Sequence, residues 1–316
     1  MSTILVIGTY AMDFIGSYPR PFSSLPKPHA LNLSIQLGGM RKGFGGCAMN
    51  IAVTLCHLGR HAVPFAYVGG ELDADYARHL RGIGIDQRGL MASGLTELAA
   101  HALILTDPHE NQFTAFYPGK PKPRFREDLQ GLIMELNTDI DFAVIAPDVP
   151  EYMIKAATIC RDHGIPFMCD PGQCTTAFTG HDCNTLVALS SMVCFNRFEY
   201  EIFESHVPDI ADRLDLTLVT QGADGVEFKV HNEWQRERAA VPRQRVDPTG
   251  CGDAFRAGLV HAHLADASWR DAVRAGCTLA TINLEHVGTQ LHNPCNFKSR
   301  YVADWDDEPT WLGCTA

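Results

Sequence analysis

Short apolar runs and amphipathic stretches alternate along most of this 316-residue chain. The runs TILVIG (3–8), AVPFAYVG (62–69), DFAVIA (141–146), PFMCD (166–170), MVCFN (192–196) and LTLVTQG (216–222) lack the polar alternation of a half-solvated strand. They read as parallel strands covered on both faces. Between them, residues 46–58, 73–80, 126–136, 151–163 and 197–205 form plausible helices. This strand–helix rhythm predicts an α/β fold, a mostly parallel central sheet between two helical layers.

Two regions break the rhythm. ALNLSIQL (30–37), AHALILTD (100–107) and QFTAFYPG (112–119) alternate or run apolar with no helix between them, and DPHEN supplies a turn. They predict a small accessory β-sheet with segments near 14–40 and 98–120, carried on loops as a lid. After residue 222, GVEFKV (225–230) and EWQRERAAV (233–241) read as antiparallel edge strands, and residues 252–264 and 269–286 as two closing helices. One domain over residues 1–290 results. Residues 291–316 are polar and acidic, a tail of unknown role.

Composition narrows the class. With 46% hydrophobic and 20% charged residues the chain can bury a large core. It holds no apolar run of about 18 residues, and its first residues lack a basic start and a small-residue cleavage site. A soluble cytoplasmic protein with no membrane partner is the expectation. A formal charge of −11 disfavours binding to nucleic acid. Eleven cysteines without a Cys-x-x-Cys pair, and fourteen histidines without His-Glu-x-x-His spacing, argue against zinc and against a disulfide framework.

The chemistry concentrates in DPTGCGDAF, Asp247 to Phe255. Apolar positions at Ala254, Ala257, Val260 and Leu264 start a helix just after Gly252. Free backbone N–H groups at Gly250, Cys251 and Gly252 then face outward, and no bulky side chain bars an anion. Asp253 follows in the first helical turn. A carboxylate beside an anion cradle makes sense if it takes a proton from a hydroxyl that attacks phosphorus. A plain Gly-capped turn would look the same in the bare Gly-x-Gly-Asp.

The longer stretch DPTGCGDAFRAG resembles the C-terminal signature of the ribokinase-like (PfkB-type) kinases. The resemblance covers about residues 3–290. It implies a three-layer α/β/α fold with a β-sheet lid, Asp253 as general base, and the 250–252 amides as the anion hole. GFGGCAMNIA matches the family's N-terminal glycine motif, implying that Gly45, Gly46 and Asn50 contact the acceptor. Asp13, after the first strand, matches the residue that accepts hydrogen bonds from two sugar hydroxyls. Asn196 and Glu199 of NRFE match the Asn-x-x-Glu that organises Mg²⁺ through water, although a helix cap fits the tetrapeptide as well. Thr220, Gly222 and Gly225 of TQGADG match the turn that approaches ATP, and a β-turn is the competing account. Asp247 and Thr249 occupy positions that bind a monovalent cation such as K⁺ in some relatives, or they simply shape the turn.

FYPG (116–119), DPGQ (170–173) and GTQ (288–290) are more similar to bacterial adenosine kinases than to sugar kinases. This implies a nucleoside acceptor, phosphorylated at its 5′-hydroxyl, with Gln173 bonded to the nucleoside and Phe116 either stacked on the purine or in the core of the small sheet. A sugar kinase, a broader nucleoside kinase and a non-catalytic nucleoside sensor remain alternatives. Lid strands often pair in this family, so a homodimer is an open expectation. Two local expectations complete the reading. Cys251, at a helix N-terminus, is either a reactive thiol of lowered pKa or, the favoured reading, an inert small side chain, and Lys120, Lys122, Arg124 and Arg126 would lie on a solvated loop.

Overall fold

The computed structural model describes residues 2–25, 33–94, 97–109, 111–119, 121–136 and 140–312. In chain order its strands are β1 (Thr3–Ile7), β2 (Ala11–Ser17), β3 (Gly39–Gly45), β4 (His61–Tyr67), β5 (Leu90–Met91), β6 (Ala100–Thr106), β7 (Gln112–Tyr117), β8 (Ile140–Ile145), β9 (Phe167–Cys169), β10 (Met192–Asn196), β11 (Leu216–Thr220), β12 (Val226–Val230) and β13 (Glu233–Glu237). The helices are α1 (Cys47–His57), α2 (Ala74–Ile83), α3 (Phe125–Leu136), α4 (Pro150–Asp162), α5 (Gly180–Leu189), α6 (Arg197–His206), α7 (Cys251–His263), α8 (Trp269–Leu284) and α9 (Phe297–Trp305).

The large sheet runs β13-β12-β11-β10-β9-β8-β1-β4-β5. It is parallel from β11 to β5 and closes with two antiparallel edge strands. Successive side chains of a strand point to opposite faces, and β1 shows the consequence. Ile4 and Val6 pack with α1, α7, α8 and α9, while Leu5 and Ile7 pack with α3, α4, α5 and α6. Two apolar faces need two helical layers, so the three-layer architecture follows from uninterrupted apolar strands.

The lid is a separate sheet in the order β3-β2-β6-β7. The readings of 100–107 and 112–119 correspond to β6 and β7, but the expected strand at 30–37 does not form. Residues 33–37 are irregular, and 30–32 lie outside the described residues. The partner of β2 is instead GMRKGFG, which pairs antiparallel along its whole length, from Ala11↔Gly45 to Ser17↔Gly39. Three glycines hide this strand from propensity; only pairing with a neighbour reveals it.

Helix α5 also escaped the periodicity, because its apolar stripe is short. Past residue 290, α9 buries Phe297, Tyr301 and Trp305 against the core, and Trp305 Nε1 donates to Thr278 Oγ1 at 2.9 Å. The i, i+4, i+8 spacing of those three aromatics was the signal available in the sequence. The cysteines among the described residues are free thiols, and no described helix is long and apolar enough to cross a membrane.

Candidate active site

The turn into α7 is held in place residue by residue. Gly250 caps the helix with φ of +80°, a left-handed conformation that glycine adopts without strain, and a side chain there would meet Thr289 at 2.9 Å. Asn283 Nδ2 donates to the Thr249 carbonyl at 2.8 Å, fixing the preceding residue. The Cys251 N–H donates to the Pro248 carbonyl at 3.3 Å. That amide closes the turn, which corrects its expected place in the anion hole. The first-turn amides of Gly252 and Asp253 precede the first intrahelical bond, which runs from the Ala254 N–H to the Gly250 carbonyl at 2.9 Å.

For the Cys251 thiol the structure favours the inert of the two readings. Burial pushes its pKa up to about 11, with Asp247 and Asp253 adding in the same direction. Desolvation and two nearby carboxylates outweigh the helix terminus.

Asp253 is buried, and its Oδ2 accepts from Asn50 Nδ2 at 2.7 Å. Asn50 is itself locked. Its Oδ1 accepts from Gln290 Nε2 at 2.8 Å and lies 2.8 Å from Thr289 Oγ1, whose hydroxyl is shared with the Phe44 carbonyl. Gln290 also reaches the Tyr76 hydroxyl. The amide group of Asn50 therefore has one orientation, with its N–H side toward Asp253. The GTQ stretch was legible only as a resemblance; its task, holding Asn50, emerges from the fold.

One turn after Asp253, α7 places Arg256, a residue the sequence reading did not single out. It is fully buried and donates from Nη2 to Asp170 Oδ1 at 2.6 Å and from Nη1 to the Gly252 carbonyl at 2.9 Å. Its Nε abuts the second Asp170 oxygen. Burial raises the Asp253 pKa, and Asn50 and Arg256 oppose the shift. Burial likewise raises Asp170 and Glu199 while the same guanidinium pulls both down. Arg256 is thus the cation that allows three buried carboxylates to share one region.

Asp13 lies within lid strand β2, not in a loop after β1. It sits across from Gly43 and Ala102 in the register, and a Cβ on Gly45 would fall 2.5 Å from both of its oxygens. Only glycine at 45 leaves room for that carboxylate. Burial, and then the charge of Asp253, raise its pKa to about 6. On the same face Ile15, Ala102 and Ile104 make the small lid core, with Phe116 packed against it. Gln173 is exposed on the 3-10 turn Gly172–Ala177, and Gly46 caps α1 at φ of +92°. A small pocket of about 10 Å³ is lined by Thr9, Tyr10, Ala100, Pro118 and Gly119 among others.

Asn196 and Thr220 are brought together as direct partners at the carboxyl ends of β10 and β11. Gly222 and Gly225 shape the turn from β11 to β12, with positive φ at both. Asn196 and Glu199 form a capping box: Asn196 accepts from the Glu199 N–H at 2.9 Å, and Glu199 accepts from the Asn196 N–H at 2.7 Å and from Asn196 Nδ2 at 2.6 Å. Among the described residues no group of three His, Cys, Asp or Glu is arranged to hold a metal directly.

The monovalent-cation positions fit less well. Asp247 accepts from Arg41 Nη2 at 2.8 Å, from the Gly288 N–H at 3.0 Å and from the Thr249 N–H at 3.0 Å. Burial alone would raise the Asp247 pKa, but bonds from Thr249 and Gly288, with Arg41 beside it, hold it below the usual range. Lys122 is another correction. It is buried, paired with Asp148 and stacked over Tyr152, since a long apolar stem lets its ammonium reach an interior carboxylate. Arg124 is exposed, and Lys120 lies outside the described residues.

Comparison with known proteins shows what the whole chain is similar to. The pattern of the pfkB family carbohydrate kinases matches residues 1–296. A nucleoside kinase of Methanocaldococcus jannaschii is 26% identical over 93% of this chain and 94% of its own. The structure of Burkholderia thailandensis nucleoside kinase in complex with inosine superposes with a TM-score of 0.86 at 27% identity, covering 97% of this chain and 100% of the other. The same kinase in complex with ADP-inosine gives 0.83 at 27% identity, over 97% of each chain.

Proposed function

This chain belongs to the pfkB family of carbohydrate kinases and is a phosphotransferase acting on a hydroxyl group, and from that premise we propose that it transfers the γ-phosphoryl group of ATP to the 5′-hydroxyl of a nucleoside. Adenosine is one acceptor and inosine another. The observation that carries the reading is the juxtaposition of Asp253 with the N-terminal amides of α7 beneath lid-borne Asp13.

In this mechanism the ribose diol binds Asp13, whose two oxygens accept both hydroxyl protons at once. Gly45 and Gly46 let the sugar approach the backbone, and Asn50 has one N–H left beyond the bond to Asp253. Asp253 takes the proton of the 5′-hydroxyl as its oxygen forms a bond to phosphorus and the bond to the ADP oxygen breaks. The Gly250, Gly252 and Asp253 amides stabilise the charge on the phosphoryl oxygens. The turns at Asn196 and at Thr220 to Gly225 take the nucleotide. Mg²⁺, held mainly by the triphosphate with Asn196 and Glu199 beyond its waters, would neutralise phosphate charge. Lid closure excludes water, whose attack would hydrolyse ATP.

An ADP-release assay across adenosine, inosine, cytidine, ribose and fructose tests the reading. Turnover is expected with purine nucleosides. A preference for free ribose or fructose would replace the reading with a sugar kinase, and tight nucleoside binding without turnover would point to a sensor. Asp253→Asn is expected to lower kcat by roughly 100- to 10,000-fold while nucleoside binding, followed by calorimetry, persists.

A further inference from the structure

Resting on the kinase reading above, we propose that Arg41 of the lid takes the place of a monovalent cation at Asp247, so that phosphoryl transfer by this enzyme needs no potassium. The resemblance leads one to expect a cation at Asp247 and Thr249, and a cation needs oxygen lone pairs turned toward it. Here those lone pairs face N–H groups. Asp247 Oδ2 receives Arg41 Nη2 and the Gly288 N–H, and Oδ1 receives the Thr249 N–H. The Thr249 carbonyl accepts from Asn283 Nδ2 at 2.8 Å. A carboxylate has about four acceptor directions, so little of Asp247 remains for an ion. The donors also present the positive ends of their dipoles to anything that enters.

The charge that potassium would supply is already there. Arg41 is the lid residue opposite Ile15 on β3, and it reaches across 206 positions of sequence to Asp247. Its other terminal nitrogen lies 3.8 Å from where a Gly43 Cβ would be and 3.9 Å from that of Gly288, which wedges the guanidinium between the lid and the 288–290 turn. Asp13 feels Asp253 and Asp247 as unfavourable charges and Arg41 as the favourable one. A second tie, Lys42 to Asp73 at 2.6 Å, holds the same strand to the N-cap of α2. The cation therefore arrives with the lid. A guanidinium suits the task, since its donors are fixed and it stays charged under all working conditions.

The test compares wild type, Arg41→Ala and Arg41→Lys in KCl, NaCl and choline chloride at equal ionic strength, so that screening is constant. Two readouts are taken, nucleoside-dependent ADP release and the melting temperature without substrates. Wild-type turnover and melting temperature should be the same in all three salts, to within about two-fold and a degree. Arg41→Lys should behave likewise, whereas Arg41→Ala should lose turnover in choline and regain part of it in KCl. A wild-type melting temperature or turnover that rises specifically with potassium overturns the proposal, and so does a folded Arg41→Ala that potassium does not rescue. The melting readout stands even if no nucleoside is phosphorylated, which would refute the nucleoside-kinase reading by itself.

Discussion

Asp13 shows what the site costs the fold. Its pKa stands at about 6 because the carboxyl is buried beside Asp253. Relative to an ordinary aspartate this amounts to roughly 3 kcal/mol against the ionised form at neutral pH. The folded-state pKa is raised, so the associated stability is present below the normal aspartate pKa and is lost as pH rises through about 6. Acceptor binding as proposed has the opposite requirement, since a diol held by Asp13 needs the carboxylate. Asp13→Asn should therefore raise the melting temperature of the free protein at pH 7.5 by a few degrees and abolish the further rise caused by nucleoside. A lower melting temperature, or retained nucleoside stabilisation, would count against this role. In wild type the apparent KM for nucleoside should climb as pH falls below about 6.

At the scale of elements, the orientation of Asp253 depends on how α1 and α7 meet the 288–290 turn. Thr289 and Gln290 hold Asn50, and Asn50 holds Asp253, so three segments distant in sequence set one carboxylate. Gln290→Leu leaves Asn50 and Tyr76 short of a buried partner, at a cost of about 1–3 kcal/mol. It should lower kcat about ten-fold, with nucleoside KM little changed, because Asn50 then loses its single orientation. An equal loss in kcat and binding would instead indicate general damage to the pocket. The start of α7 was legible in sequence from Gly250, Gly252 and the apolar periodicity after them. Arg256 was not, because an arginine among apolar helix positions gives no sign of the Asp170 that will neutralise it. Strand β3 was missed for a related reason: its glycines have meaning only opposite β2, where the absence of a side chain at Gly45 admits Asp13.

For the molecule as a whole, the helix beyond residue 290 tests where the folding unit stops. Tyr301 is fully buried, and Arg300 bonds Glu285, Asp304 and the Val241 carbonyl. A chain ended after Gln290 should unfold at a clearly lower urea concentration than the full chain, since it loses three large buried aromatics at about 3–5 kcal/mol each. Coincident unfolding curves would show that residues 1–290 suffice. Sequence alone determined the layered α/β plan, because apolar runs of strand length must be covered on both faces, and it determined the glycine turn that opens α7, because glycines next to a helix start declare themselves locally. Tertiary structure alone decided which charges share the site. Burial and pairing set the pKa of Asp13, the direction of the Cys251 shift and the partners of Arg41 and Arg256. Those quantities depend on distances through space between residues that the chain order keeps far apart.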